Sequence, residues 1–313
     1  MFQTPIVYII FNRPVHTKKT FEAIRKIKPS KLFIIADGPR SNFPSDEKKC
    51  FEARKVVDDI DWKCEIYKNY EQSNIGPKIK ISSGLNWVFQ HVDRAIILED
   101  DCLADSDFFY YCEKLLKYYE NNNKIWLISG NNFQKGNWRG EGSYFFSKYP
   151  HTWGWATWKR AWVHYSDNIP FWDTWKHSQS WNNLMQDKVE RKYWERIFDR
   201  VYSGSDTYAF DYAWVANIWY NSGITVAPNV NLVSNIGHDS DASSTKTMSN
   251  ISNLKIEKIP KILNHPKKII VDKEADIYDF NYNFLGDKKH FPYNLIKLLR
   301  RIILYPFKGK QKF

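Results

Sequence analysis

Three adjacent carboxylates, Glu99-Asp100-Asp101, follow directly on the apolar run Ala95-Ile96-Ile97-Leu98. Neighbouring acids repel one another and are tolerated best where a cation or donor hydrogens compensate them. A strand ending in this cluster delivers it to the carboxyl edge of a parallel sheet, where ligands of open α/β sheets gather. Oxygen ligands of this kind suit Mg2+ or Mn2+, held by one or two carboxylates plus water and substrate phosphates. The competing reading is an acidic start to the next helix, since Asp and Glu favour helix N-termini. On the triplet alone both readings stay open.

The elements around the triplet follow from hydrophobic period. Short β-rich apolar runs at 6–11, 32–36, 65–67, 95–98 and 125–128 alternate with helix-period segments at about 16–27, 46–59, 78–91 and 106–121. Asp105 and Ser106 are both suitable N-caps for the last of these. Continuously apolar strands belong to a sheet covered on both faces. From 131 to 165 the chain is rich in Asn, Gly and aromatics, which predicts short strands and loops over the strand ends. Helical pattern returns at about 182–202 and 207–221, followed by a strand at Ile224-Thr225-Val226. Residues 234–250 are mostly Ser, Thr, Asp and Asn with few apolar residues, the composition of a mobile loop. The expected architecture is α/β: a Rossmann-like, mostly parallel sheet with flanking helices and a basic C-terminal tail.

The 313 residues carry a net charge of +11. Eight basic residues and no acidic one lie between 288 and 313, so most of the excess is in the tail. The near-balanced remainder speaks against a nucleic-acid partner. Residues 293–304 form an amphipathic pattern with Lys297, Arg300 and Arg301 opposite an apolar arc. It fits either a helix lying on an anionic membrane surface or a terminal helix packed on the domain. The N-terminal apolar run is too short for a signal peptide, and no run reaches the roughly 18 apolar residues of a spanning helix. A cytoplasmic protein is expected, able to sit peripherally on the inner face of the cell membrane. The 14 Trp and 19 Tyr lean mildly towards stacking on sugars or nucleobases.

The segment from Ile96 to Phe109, Ile-Ile-Leu-Glu-Asp-Asp-Cys-Leu-Ala-Asp-Ser-Asp-Phe-Phe, resembles the signature of the N-acetylglucosaminyltransferase that begins complex N-glycan branching, and of its bacterial GT-A relatives. The likeness continues in order through Asn12-Arg13, Ile34-Ile35-Ala36-Asp37-Gly38, Lys78-Ile79-Lys80 and Pro150-His151-Thr152-Trp153-Gly154-Trp155. It covers roughly 5 to 245, which sets the expected domains: a GT-A catalytic domain over 1–245 and a C-terminal extension over 246–313.

The resemblance implies an inverting hexosyl- or N-acetylhexosaminyltransferase that uses a nucleotide sugar, read through uracil in UDP, and Mn2+ or Mg2+. It implies that Asp101 holds the metal while Glu99 and Asp100 face ribose, sugar or metal-bound water. Asn12, Arg13, Asp37 and Lys80 fall on the nucleotide-sugar side, with Asp37 accepting the imide N–H of uracil; an Asp before Gly is also an ordinary turn start. His151, Trp153 and Trp155 fall on the acceptor side, or else form aromatic core beneath a loop. Two acids compete as general base. Asp173, in Phe171-Trp172-Asp173, matches the family's base motif in letters. Asp211 matches it in position, 17 residues before Pro228 against 55 for Asp173, and is preferred because spacing within one helix–loop–strand unit sets geometry. His238 is a metal ligand in the sharper reading and a surface residue in the plainer one. The bacterial relatives and the tail suggest surface-polysaccharide or lipopolysaccharide assembly on a glycan or glycolipid acceptor. A nucleotidyltransferase of the same fold requires a Gly-rich loop after the first strand, where this chain has Asn12-Arg13-Pro14. A non-catalytic nucleotide-sugar-binding or membrane-associated module is the alternative from another class.

Overall fold

The computed structural model describes residues 1–237 and 251–290, together with 292 and 295. Strands β1 (Ile6–Ile10), β2 (Lys31–Ala36), β3 (Glu65–Tyr70) and β4 (Arg94–Glu99) alternate with helices α1 (Pro14–Ile27), α2 (Ser45–Val56) and α3 (Pro77–His91). Next come β5 (Cys102–Ala104), α4 (Ser106–Tyr118), β6 (Ile125–Ser129), β7 (Tyr144–Ser147) and β8 (Trp155–Trp158). Helices α5 (Lys159–Trp162), α6 (Trp172–Trp175), α7 (Gln179–Leu184), α8 (Lys188–Tyr202) and α9 (Phe210–Tyr220) follow. The chain then forms β9 (Ile224–Pro228), β10 (Val233–Asn235) and α10 (Lys273–Asn283).

Eight strands make one sheet in the order β3-β2-β1-β4-β8-β6-β9-β7, and β5 pairs with β10 in a separate ribbon. β1 to β4 run parallel, as do β6 and β9; β8 is antiparallel to both neighbours, and β7 to β9. The α/β class with a mostly parallel, helix-flanked sheet is therefore what the chain forms. Successive residues of a strand face opposite sides, and both sides here are covered. Ile6, Tyr8 and Ile10 pack in one core with Phe21, Ile24 and Leu115, whereas Val7 and Ile9 pack in the other with Leu85 and Trp214. Cores on both faces explain why these strands read as unbroken apolar runs.

Helix ends are set locally. Pro14 opens α1, where its missing N–H costs nothing, and Arg25 and Lys26 occupy the last turn against the helix dipole. Of the two possible caps for α4, the side chain of Asp105 accepts from the N–H of Asp107. The single helix expected over 182–202 is instead two, α7 and α8. Asp187 accepts from the N–H groups of Val189 and Glu190 at 2.9 and 2.7 Å, so it starts a new helix.

Other departures have tertiary causes. β8, within the stretch expected to form loops and short strands, is entirely buried and inserts into the middle of the sheet. The abundant tryptophans serve mainly the core, where Trp155, Trp162, Trp172, Trp181, Trp194 and Trp214 are all fully buried. Residues 251–290 lie against the rest of the chain: Asn264 O accepts from Ser143 N, Asp272 N donates to Phe146 O, and Phe280 joins the core that contains α8 and α9. The expected boundary at 245/246, the acidic–polar loop from 238 and most of the amphipathic segment 293–304 lie outside the described residues. Among the described residues no helix is long and apolar enough to cross a membrane.

Candidate functional site

The connections after β1 proceed outward to β2 and β3, whereas β4 lies on the other side of β1. The chain direction across the sheet thus reverses between β1 and β4, the place where open α/β sheets bind ligands. β1 leaves this point through Phe11-Asn12-Arg13 and β4 through Glu99-Asp100-Asp101, so the two motifs adjoin.

The three acids divide. Asp100 turns back to β1, where its carboxylate accepts from Phe11 N at 3.0 Å and its carbonyl accepts from Thr20 Oγ1 at 3.0 Å. Burial, and then the charge of Asp101, push its carboxyl up to about 7, against Arg13 and the Phe11 N–H. Asp101 accepts from Arg13 Nη1 at 2.9 Å and from Asn235 Nδ2 at 3.3 Å. Its carbonyl accepts from Ile236 N at 2.9 Å. The backbone of Gly237 lies against this ion pair, where an added Cβ would sit 2.2 Å from Asp101 Oδ2 and 2.7 Å from Arg13 Nη1.

Glu99 is the odd member. It pairs in register with Ile9, whose side chain belongs to the core that contains α9. Among the described residues no hydrogen-bond donor serves its carboxylate. Burial and the charges of Asp101, Asp100 and Asp211 hold it well above the usual carboxylate range, with Arg13 opposing. Asp211, in the first turn of α9, therefore lies within electrostatic reach of Glu99. Burial pushes Asp211 up to about 6 against the N–H of Tyr212, which donates to Oδ1 at 3.0 Å. The rival acid is elsewhere: Asp173 on α6 is 63% exposed and pairs with Lys176 of the next turn at 3.0 Å.

The remaining residues singled out in the sequence are differently disposed. The Asp37 carboxylate accepts from the N–H groups of Gly38, Ile75 and Gly76 and from Asn74 Nδ2, all at 2.8–3.0 Å. Those donors match the roughly four lone-pair sites of a carboxylate, so Asp37 fastens the loop before α3 onto the end of β2. Asn12 donates to Asp46 Oδ1 at 2.7 Å; Asp46 also holds Arg40 at 2.6 Å, and the Arg40 guanidinium lies 3.9 Å from the Phe43 ring centroid. Burial works against the Asp46 charge, but the hydrogen bonds from Arg40 and Asn12 hold its carboxyl below the ordinary value. Asp46 reads in the sequence only as part of an acidic helix start, and nothing local signals its partner six residues upstream. Lys80 is buried at the end of β3, bonded to Asn69 and, at 3.0 Å, to Glu71, two strands away from β1.

On the opposite side, His151 Nε2 lies 2.6 Å from Asp279 Oδ2 of α10, with the Phe133 ring edge-on at 4.5 Å. Trp153 is half-buried and edge-on to Phe133 at 5.5 Å. Trp155 corrects an expectation. It sits within β8 between Ile97 and Ser129, is 1% exposed, and packs against Trp162 and Trp214, so its ring is core and has no face for an acceptor. His238 lies outside the described residues.

Among the described residues no group of three or more His, Cys, Asp or Glu side chains forms a ready metal cage. The donors present, Asp101 with Glu99 beside it, fit an ion that takes most of its ligands from phosphates and water.

No protein-family model matches the chain, and no curated protein matches it. Among solved structures it is similar to 4-diphosphocytidyl-2C-methyl-D-erythritol synthase from Anaerococcus prevotii, at 9% identity over 78% of this chain and 94% of that one, with a TM-score of 0.37. It is also similar to HddC from Yersinia pseudotuberculosis, at 9% identity over 51% of this chain and 78% of that one, TM-score 0.30. A UDP-glucose pyrophosphorylase complexed with UDP-glucose aligns at 10% identity over 45% of this chain and 64% of that one, TM-score 0.27. At such scores the likenesses carry no argument about activity. The functional reading rests on the site.

Proposed function

We propose that the chain is an inverting GT-A-type glycosyltransferase that moves a sugar from a UDP-linked donor to a hydroxyl of a glycan or glycolipid acceptor. The observation that carries this reading is the half-buried Asp211, raised to about 6, within electrostatic reach of Glu99 at the end of β4. A base titrating there is ionised at neutral pH and still basic enough to accept a proton. Asp211 takes the proton of the acceptor hydroxyl as its oxygen bonds to the anomeric carbon. The bond from that carbon to the diphosphate oxygen breaks on the opposite face, and the nucleoside diphosphate leaves with the electron pair. The sugar passes through an oxocarbenium-like state.

Asp101, with Glu99 beside it, would hold Mn2+ or Mg2+, which supplies charge stabilisation for the departing diphosphate. Arg13 supplies a guanidinium suited to phosphate oxygens. His151 and Trp153 line the acceptor side in this reading. The biological setting we infer is bacterial surface-polysaccharide or lipopolysaccharide assembly, with the basic segment 293–304 meeting an anionic membrane.

The test is release of UDP from a panel of UDP-sugars with and without Mn2+. Metal-dependent release that Asp211→Asn abolishes and Asp173→Asn spares supports the assignment. Loss with Asp173→Asn and normal turnover with Asp211→Asn would reverse the choice of base. Nucleotide binding without release would favour a non-catalytic module.

A further inference from the structure

Arg13 and Asp101 do more than adjoin. Arg13 is only 8% exposed, and its Nη1 lies 2.9 Å from Asp101 Oδ2. The other carboxylate oxygen, Oδ1, takes the weaker contact from Asn235 at 3.3 Å. Gly237 presses its backbone on the pair so closely that a methyl group would collide with both partners. His16 Nε2 lies 3.3 Å from the carbonyl of Ile236, and Ile236 N is bonded to Asp101 O, so the 235–237 segment is pinned from both sides. A guanidinium and a divalent cation cannot both sit on the same carboxylate oxygen without strong like-charge repulsion in a partly buried site.

We propose that Arg13 is the resident counter-ion of Asp101, and that an incoming diphosphate draws it away and so opens Asp101 to the divalent cation. The inference rests on Asp101 being the metal acid of the proposed function. Its chemical basis is the strong bidentate pairing of a guanidinium with the oxygens of a doubly charged phosphate. When the diphosphate arrives, Arg13 gains the stronger partner and Asp101 loses a competitor. Metal and nucleoside diphosphate then bind synergistically through one residue, and by linkage each raises the other's affinity by the same factor.

The experiment is a Mn2+ titration of the full chain followed by electron paramagnetic resonance of the free ion, with and without saturating UDP. The variants are Arg13→Gln, Arg13→Lys and Asp101→Asn, each checked for folding by its thermal transition. In the wild-type protein, UDP should tighten Mn2+ binding by about tenfold or more, the scale of 1.4 kcal/mol in coupling. Arg13→Gln should bind Mn2+ alone several-fold more tightly than wild type, with the UDP enhancement reduced to within about twofold. Arg13→Lys keeps the charge and should fall between, so an unfolded Gln variant would still leave the comparison readable. If Asp101→Asn loses Mn2+ binding but neither Arg13 variant strengthens it, the exchange is wrong while the metal assignment survives. If Asp101→Asn binds Mn2+ as wild type does, the metal assignment itself fails and takes this inference with it.

Discussion

Two regions of the molecule bury several acids, and they treat them differently. Under α10, each carboxylate is met by donors from other elements or from its own helix. Ser147 Oγ donates to Asp276 at 2.6 Å, His151 lies 2.6 Å from Asp279, and Lys148 lies 2.8 Å from Glu190, which also accepts from Tyr149. At the strand ends the balance is poorer. Asp101 pairs with Arg13, whose charge also favours ionised Glu99 and Asp100, while Asp211 accepts from the N–H of its neighbour Tyr212. Carboxylates that staple one segment to another need every oxygen occupied, because a lost partner leaves a buried charge unpaired. Carboxylates that wait for a ligand are left with capacity. Acid count alone does not separate the two regions; the donors do.

The largest break in this comparison should come from Asp211→Asn. Turnover is expected to fall by about 10²–10⁴, the usual worth of a general base, measured as UDP release with acceptor present. The same change should raise stability at pH 8 by roughly 1–3 kcal/mol, since it removes a charge whose carboxyl has been raised from 3.8 to about 6. Asp276→Ala should do the reverse under α10 at pH 5, where the carboxyl, which burial pushes up to about 7, is protonated and its removal relieves no buried charge. A loss on the order of 1–3 kcal/mol is expected from stranding Ser147 Oγ and the Lys148 N–H. Faster amide hydrogen exchange confined to α10 would locate the damage there.

A smaller effect tests the electrostatics by pH. The folded chain binds protons at Asp211 (about 6) and Asp100 (about 7) that the unfolded chain has already released. These sites therefore subtract stability as pH rises from about 4 to 7, with the full cost present above 7. The stability difference between Asp211→Asn and wild type should accordingly be positive at pH 8 and shrink towards zero by pH 4, as read from thermal midpoints. The smallest effect is expected from Asp173→Asn. It removes one exposed ion pair within a helix and should change stability by under about 0.5 kcal/mol, with turnover unaltered. A large loss of turnover there would erase the distinction between a surface acid and a site acid.

Much of the site's scaffold was legible because it is local. Unbroken apolar runs marked β1, β2 and β4, and the triplet's position at the end of β4 placed it at the carboxyl edge of the sheet. Asp211 could be singled out by its distance from Pro228 because α9, a short turn and β9 form one contiguous unit. What escaped depends on contacts between distant segments. Nothing near Trp155 announces that β8 lies between β4 and β6, and a tryptophan in an aromatic loop looks the same whether it will face sugar or core. The sequence leaves Asp37 open between a ligand acid and a turn start, because the four donors on its carboxylate come from the adjacent Gly38 and from residues 74–76. The docking of α10 relies on Ser147, Lys148 and His151, all more than 100 residues upstream of it.

The insertion of β8 has a consequence for how the molecule is made. Among the described residues β4 and β6 do not pair; the two halves of the sheet are hydrogen-bonded to each other through β8, residues 155–158. While the chain is being synthesised, β1 to β4 can pair as soon as residue 99 emerges, but β4 must present a bare apolar edge until β8 follows more than fifty residues later. Unpaired edges of this kind are where chains stick to one another. Closure of the sheet is thus a long-range event that waits for β8, the strand that joins its two halves.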